Sequence, residues 1–136
     1  MLEKDKEILD VVWKFKYFFE DYNEELAEEL AALLTASVRA TDLVGRWGGE
    51  EFVILLPGTP ADAAAGVAEK LRTSIEACPF NFRGERVSIT MSFGISEFRA
   101  LESTEMVFER ADKALYKAKK SGRNRAVIAW QPHDVF

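Results

Sequence analysis

The stretch Val87-Ser88-Ile89-Thr90-Met91-Ser92-Phe93-Gly94-Ile95-Ser96 alternates without exception. Large apolar side chains hold the odd positions, and small or polar residues hold the even ones. A period of two marks a β-strand with one face in a core. Upstream, Phe52-Val53-Ile54-Leu55-Leu56 is a continuous apolar run stopped by Pro57-Gly58. That is the pattern of a central strand buried on both faces. Leu43–Trp47 and Glu50–Leu56 flank Gly48-Gly49, which reads as a β-hairpin. Downstream, Ala126–Trp130 is a final strand before a polar tail.

Helices separate these strands. Thr59-Pro60-Ala61-Asp62 supplies an N-cap, a proline at the first helical position and an acid to close a capping box. Ala64, Val67, Ala68, Leu71 and Ile75 then form one apolar stripe that Pro79 ends. A second helix opens near Ser103-Thr104 and buries Val107, Phe108, Ala111, Leu115 and Ala118, with Gly122 as its C-cap. Leu26, Leu30, Leu33, Leu34 and Val38 make a third stripe. Residues 7–19 read either as a strand or as an extension of that helix. The sum is an α/β fold, helices covering a mixed sheet.

The chain has 136 residues, 48% apolar and 30% charged, which indicates one folded domain and excludes disorder. No apolar run reaches the roughly 18 residues of a membrane helix. The start, MLEKDKEILD, lacks a signal peptide's apolar centre, so the expectation is a soluble, cytoplasmic domain with no membrane segment. One cysteine, Cys78, and one histidine, His133, leave no disulfide framework and no Cys/His metal cluster. The net charge of −5 argues against a nucleic-acid partner. Residues 110–125 nevertheless hold seven bases and one acid, which suits a small anionic ligand as well as a solvated helix end.

Arg46-Trp47-Gly48-Gly49-Glu50-Glu51-Phe52 carries the chemistry. Two glycines let a backbone come close to something, and two carboxylates follow at the mouth of a strand. A hard divalent cation takes carboxylate oxygens and bridges them to phosphates, so a nucleoside triphosphate site fits. Taken alone, the same residues are more simply a Gly-Gly turn with two solvated acids.

Here the sequence resembles the GGDEF family, the diguanylate cyclases, in the variant spelled Gly-Gly-Glu-Glu-Phe. Arg39-Ala40-Thr41-Asp42 resembles the family's Arg-x-x-Asp inhibitory motif, nine residues from its Arg to Gly48. Ser92-Phe93-Gly94-Ile95-Ser96 resembles its Ser-x-Gly-x strand, and Arg110–Asn124 its last helix and basic turn. The resemblance implies a single palm-like domain over residues 1–136, well matched over 39–130 and divergent over 1–38. It implies a Mg²⁺ (or Mn²⁺) cofactor and condensation of two GTP into cyclic di-GMP and pyrophosphate by a homodimer. By position, Glu50 is a metal ligand and Gly48 and Gly49 admit the phosphates. Glu51 supports the metal and the reacting 3′-hydroxyl. Lys119 and Arg123 hold terminal phosphates, although that pair alone equally complements a helix dipole. Arg39 and Asp42, with Lys70, bind the product, although a lone Arg-x-x-Asp is by itself a surface ion pair.

The first third departs from the family. Its Asp-x-Leu-Thr-Gly-Leu-x-Asn-Arg-Arg segment is absent. With Phe15-Lys16 as the family's Phe-Lys anchor, the two strand aspartates fall on Val11 and Trp13 and the asparagine on Phe19. The family's Gly-Asp falls on Asn23-Glu24, which makes Glu24 a substrate contact, and Asp10 replaces the lost ligand only with a one-residue shift. Val, Trp and Phe do not ligate Mg²⁺. The rivals to a cyclase are therefore a degenerate domain that binds cyclic di-GMP or GTP, and a dimerisation module built on Phe18, Phe19 and Tyr22.

Overall fold

The computed structural model describes residues 11–18, 24–46, 51–82, 84–99 and 101–129. Among the described residues, seven strands and three helices follow in the order β1 (Val11–Phe18), α1 (Glu24–Ser37), β2 (Leu43–Arg46), β3 (Glu51–Leu55), α2 (Ala61–Ala77), β4 (Phe80–Phe82), β5 (Glu85–Val87), β6 (Thr90–Glu97), α3 (Thr104–Lys120) and β7 (Ala126–Ile128). Five strands form one sheet in the order β2-β3-β1-β6-β7. β1 is antiparallel to both neighbours, whereas β6 and β7 run parallel, so the sheet is mixed. The ambiguous residues 7–19 thus contain the central strand, and the apolar run at 52–56 lies beside it.

Helices cover both faces. Phe52 and Ile54 of β3 and Met91, Phe93 and Ile95 of β6 are buried with Leu26, Leu30 and Leu34 of α1 and Ala64, Ala68, Leu71 and Ile75 of α2. The opposite face meets α3. Val53 packs there with Phe98 and Val107, and the buried Ser96 hydroxyl donates to the Val107 carbonyl at 2.7 Å.

Two details differ from the expectation. The alternating stretch breaks at residues 88–89: Val87 ends β5, in a separate two-stranded sheet, and β6 begins at Thr90. Its even face is also covered, since Ser92 and Ser96 are buried along with the odd residues. Small residues on that face make room for a helix and do not meet water. The start of α2 differs too. Its N-cap is Pro60, without a side-chain cap. The Thr59 hydroxyl instead accepts from the Arg39 guanidinium at 3.1 Å. The free Ala61 N–H donates to Glu97 at the end of β6, 2.9 Å away, so a strand residue satisfies the helix terminus.

Candidate functional site

Register places the hairpin and the basic turn at one end of the sheet. Glu51 of β3 pairs with Lys16 of β1, and Lys16 pairs with Ser92 of β6. The Ser92 hydroxyl accepts from the Asn124 amide at 3.1 Å, next to Arg123. Two strand spacings, about 10 Å, separate Glu51 from Ser92 across this row. Glu51 is half-buried. Lys119 lies in the last turn of α3. Arg123 follows after Gly122, whose φ of 126° reverses the chain, and the Arg123 N–H closes onto the Ala118 carbonyl at 2.9 Å. This six-to-one bond is a Schellman closure.

Glu24 reaches the same end. It lies in the first turn of α1, where it accepts two hydrogen bonds from Arg46 at 2.8 and 3.1 Å. Arg46 pairs with Phe52 as β2 runs into residues 47–50. Arg46 opens the Arg46–Phe52 segment, but nothing in that motif signals its pairing with Glu24, twenty-two residues earlier.

Arg39, Asp42 and Lys70 share a pocket of about 370 Å³ with Leu56, Thr59 and Val67, at the opposite end of β2. Asp42 is the anchor. Its carboxylate is 3% exposed and accepts from the Arg39 backbone N–H at 2.8 Å and from Nε and Nη2 of its guanidinium. Nη2 also donates to the Pro57 carbonyl at 2.8 Å. The hydrogen bond to Asp42 holds the guanidinium above its usual range, fully charged. Arg39 is thereby fixed while its side chain, 57% exposed, lines the pocket. This is more than a surface ion pair, because one partner is buried and the geometry is bidentate.

Gly48, Gly49, Glu50, Asp10, Phe19 and Tyr22 lie outside the described residues. Among the described residues no group of three or more His, Cys, Asp or Glu could hold a metal; they contribute Glu51 alone at the hairpin.

The diguanylate cyclase GGDEF-domain model matches residues 20–125. The chain belongs to the GGDEF family. This GGDEF domain is 45% identical over 119 residues to the diguanylate cyclase DgcP of Pseudomonas aeruginosa, which covers 85% of this chain and 18% of that protein. Its structure is similar to that of the diguanylate cyclase SiaD of Pseudomonas aeruginosa, solved with its activator SiaC, at TM-score 0.83 and 34% identity over 93% of this chain and 52% of that one. It is similar also to the active GGEEF domain of a diguanylate cyclase from Vibrio cholerae, at TM-score 0.71 and 27% identity, covering 90% and 85% of the two chains. The chain thus spans about a fifth of DgcP and half of SiaD.

Within the GGDEF domain β1 runs antiparallel to β3, and Lys16 pairs with Glu51. Trp13 pairs with Ile54 and Val12 with Leu55, so Val11 and Trp13 lie toward the end of β1 away from Glu51. Antiparallel pairing puts Lys16, not Val11 or Trp13, beside the hairpin. Val11 pairs with Glu97 at that same remote end.

Proposed function

We propose that this domain condenses two GTP molecules into cyclic di-GMP and pyrophosphate. The observation that supports it most is the shared sheet end, where Glu51, the Arg46–Glu24 pair and the Lys119–Arg123 turn lie where β2 leads into β3. Two copies face each other, each holding one GTP; the 3′-hydroxyl of each nucleotide attacks the α-phosphate of the other, and one pyrophosphate leaves at each attack. One domain positions only half of the reaction, so the active form is a dimer.

Each residue has a task. Gly48 and Gly49 let backbone N–H groups approach the phosphates. Lys119 and Arg123 bind the terminal phosphates, which become the leaving group. Glu24, steadied by Arg46, takes a guanine N–H. Glu50 and Glu51 supply carboxylate oxygens for a divalent cation, best matched by Mg²⁺. When bound, the cation neutralises charge on the phosphates. Most of the rate then comes from positioning and preset electrostatics.

The Arg39–Asp42–Lys70 pocket supports a second task, binding the product. Arg39 is oriented for a phosphate or guanine edge, Asp42 limits its motion, and Lys70 adds a second cation. Product bound there restrains further synthesis.

The deciding experiment incubates purified protein with GTP and Mg²⁺ and follows cyclic di-GMP by mass spectrometry. Accumulation that ceases in Glu50→Gln supports the reading. No turnover at high protein concentration, with cyclic di-GMP still bound at Arg39, favours the binding module.

A further inference from the structure

Arg123 and Asn124 are consecutive non-glycine residues in the left-handed region, with φ of 62° and 47°. L-residues adopt that conformation at a cost, and such strain persists only where the surroundings impose it. The helix end does not require the second residue: Gly122 and the Arg123–Ala118 bond already close α3. The constraint comes from elsewhere.

Three contacts hold Asn124. Its backbone N–H donates to the buried Ser92 hydroxyl at 3.1 Å. Its side-chain oxygen accepts from Arg72 Nη1 at 3.0 Å. Its side-chain nitrogen donates to Glu76 at 2.8 Å. Both partners stand on α2, fifty residues earlier in the chain. Arg72 is itself oriented by Glu69, and its side chain is only 17% exposed. The hydrogen bond from Arg72 holds the Glu69 carboxyl below its usual range, so this partner stays charged. Asn suits residue 124 because it tolerates the left-handed backbone while offering a donor and an acceptor at once.

We infer that Arg72 and Asn124 are positioning residues, which hold the turn bearing Lys119 and Arg123 in the geometry that receives the GTP phosphates. This rests on the proposed phosphate role of Lys119 and Arg123. Arg72 and Asn124 do not touch the nucleotide; they fix the backbone from which Arg123 projects. A basic turn free to relax would lose part of its affinity to the cost of reordering.

Three variants test it, using calorimetry with a non-hydrolysable GTP analogue and Mg²⁺. Asn124→Gly keeps the left-handed backbone and removes both side-chain bonds. Its affinity for the analogue should fall about tenfold, the scale of one or two lost hydrogen bonds. Binding of cyclic di-GMP at the Arg39 pocket and the melting temperature should stay as in the parent. Asn124→Asp sets a carboxylate against Glu76 and should weaken the analogue similarly. Adding Glu76→Gln to Asn124→Asp restores a donor facing an acceptor and should recover most of the affinity, which a purely structural role would not produce. Parental affinity in both Asn124→Gly and Asn124→Asp overturns the inference. Parental affinity in a Lys119→Ala/Arg123→Ala double variant overturns the phosphate reading beneath it, and the inference with it.

Discussion

Gly94 lies directly beneath Ala111: a Cβ at residue 94 would overlap the Ala111 carbonyl oxygen and come within 2.5 Å of the Leu115 nitrogen. The colliding atoms are helix backbone, so no side chain can turn aside. The close approach of α3 to β6 is what seats the Lys119–Arg123 turn against Ser92.

Gly94→Ala should therefore cost about 3 kcal/mol, the upper range for forcing atoms into a packed core. Thermal unfolding should show a fall of about 10 °C for a domain of this size. An unchanged melting temperature would mean that α3 does not sit on Gly94.

The strands around Gly94 were legible because period-two patterning and β-breaking glycines are local signals. So were α2 and α3, whose stripes and stops lie in consecutive residues. The pocket at Arg39 was legible only as a motif. That Asp42 would be buried and Thr59 diverted from capping depends on Pro57 and Leu56 folding back from β3, a non-local event. Arg72, Glu76 and Asn124 were invisible as a group, since about fifty residues separate them and each looks like a surface polar residue. The register of β1 was not legible for a different reason. A motif anchor fixes sequence spacing, but antiparallel register decides which end of a strand faces the hairpin.

Arg39→Ala should abolish measurable cyclic di-GMP binding at this pocket and leave binding of the GTP analogue within about twofold, because the pocket and the hairpin lie at opposite ends of β2. Charge-assisted bidentate contacts of this kind are the strong ones, and no neighbouring cation replaces their geometry. Titration of both nucleotides into parent and variant provides the check. Equal loss of both would show that Arg39 acts through β2 as a whole.

Glu102 gives the domain an acid-sensitive contact. Its carboxylate accepts from Arg110 Nη2 at 2.8 Å and from Nη1 as well, with side chains 12% and 15% exposed. The hydrogen bond from Arg110 holds the Glu102 carboxyl below its usual 4.5. A depressed carboxyl adds stability that is complete above its unfolded value and is lost as pH falls through the folded one. Glu102→Gln should then destabilise by about 2 kcal/mol at pH 7. Urea unfolding across pH should show that difference shrinking below about pH 4.5. A gap that persists unchanged at pH 3 would assign the effect to packing.

The register of β1 makes the sharpest distinction among the acids. Lys16 pairs with Glu51, while Val11 lies five residues back along the strand, a distance of about 17 Å at the usual strand rise. If the β1–β3 register carries on past the paired residues, carboxylates at positions 10 and 50 stand too far apart to share one cation. Asp10→Asn should leave Mg²⁺-dependent binding of the GTP analogue within about twofold of the parent. Glu50→Gln should weaken it at least about tenfold, because a hard cation loses an anionic oxygen ligand. Calorimetry with and without Mg²⁺ on the two variants separates the cases. If Asp10→Asn costs as much as Glu50→Gln, the pairing of Lys16 with Glu51 is wrong, and the central strand must slide toward the hairpin by several residues.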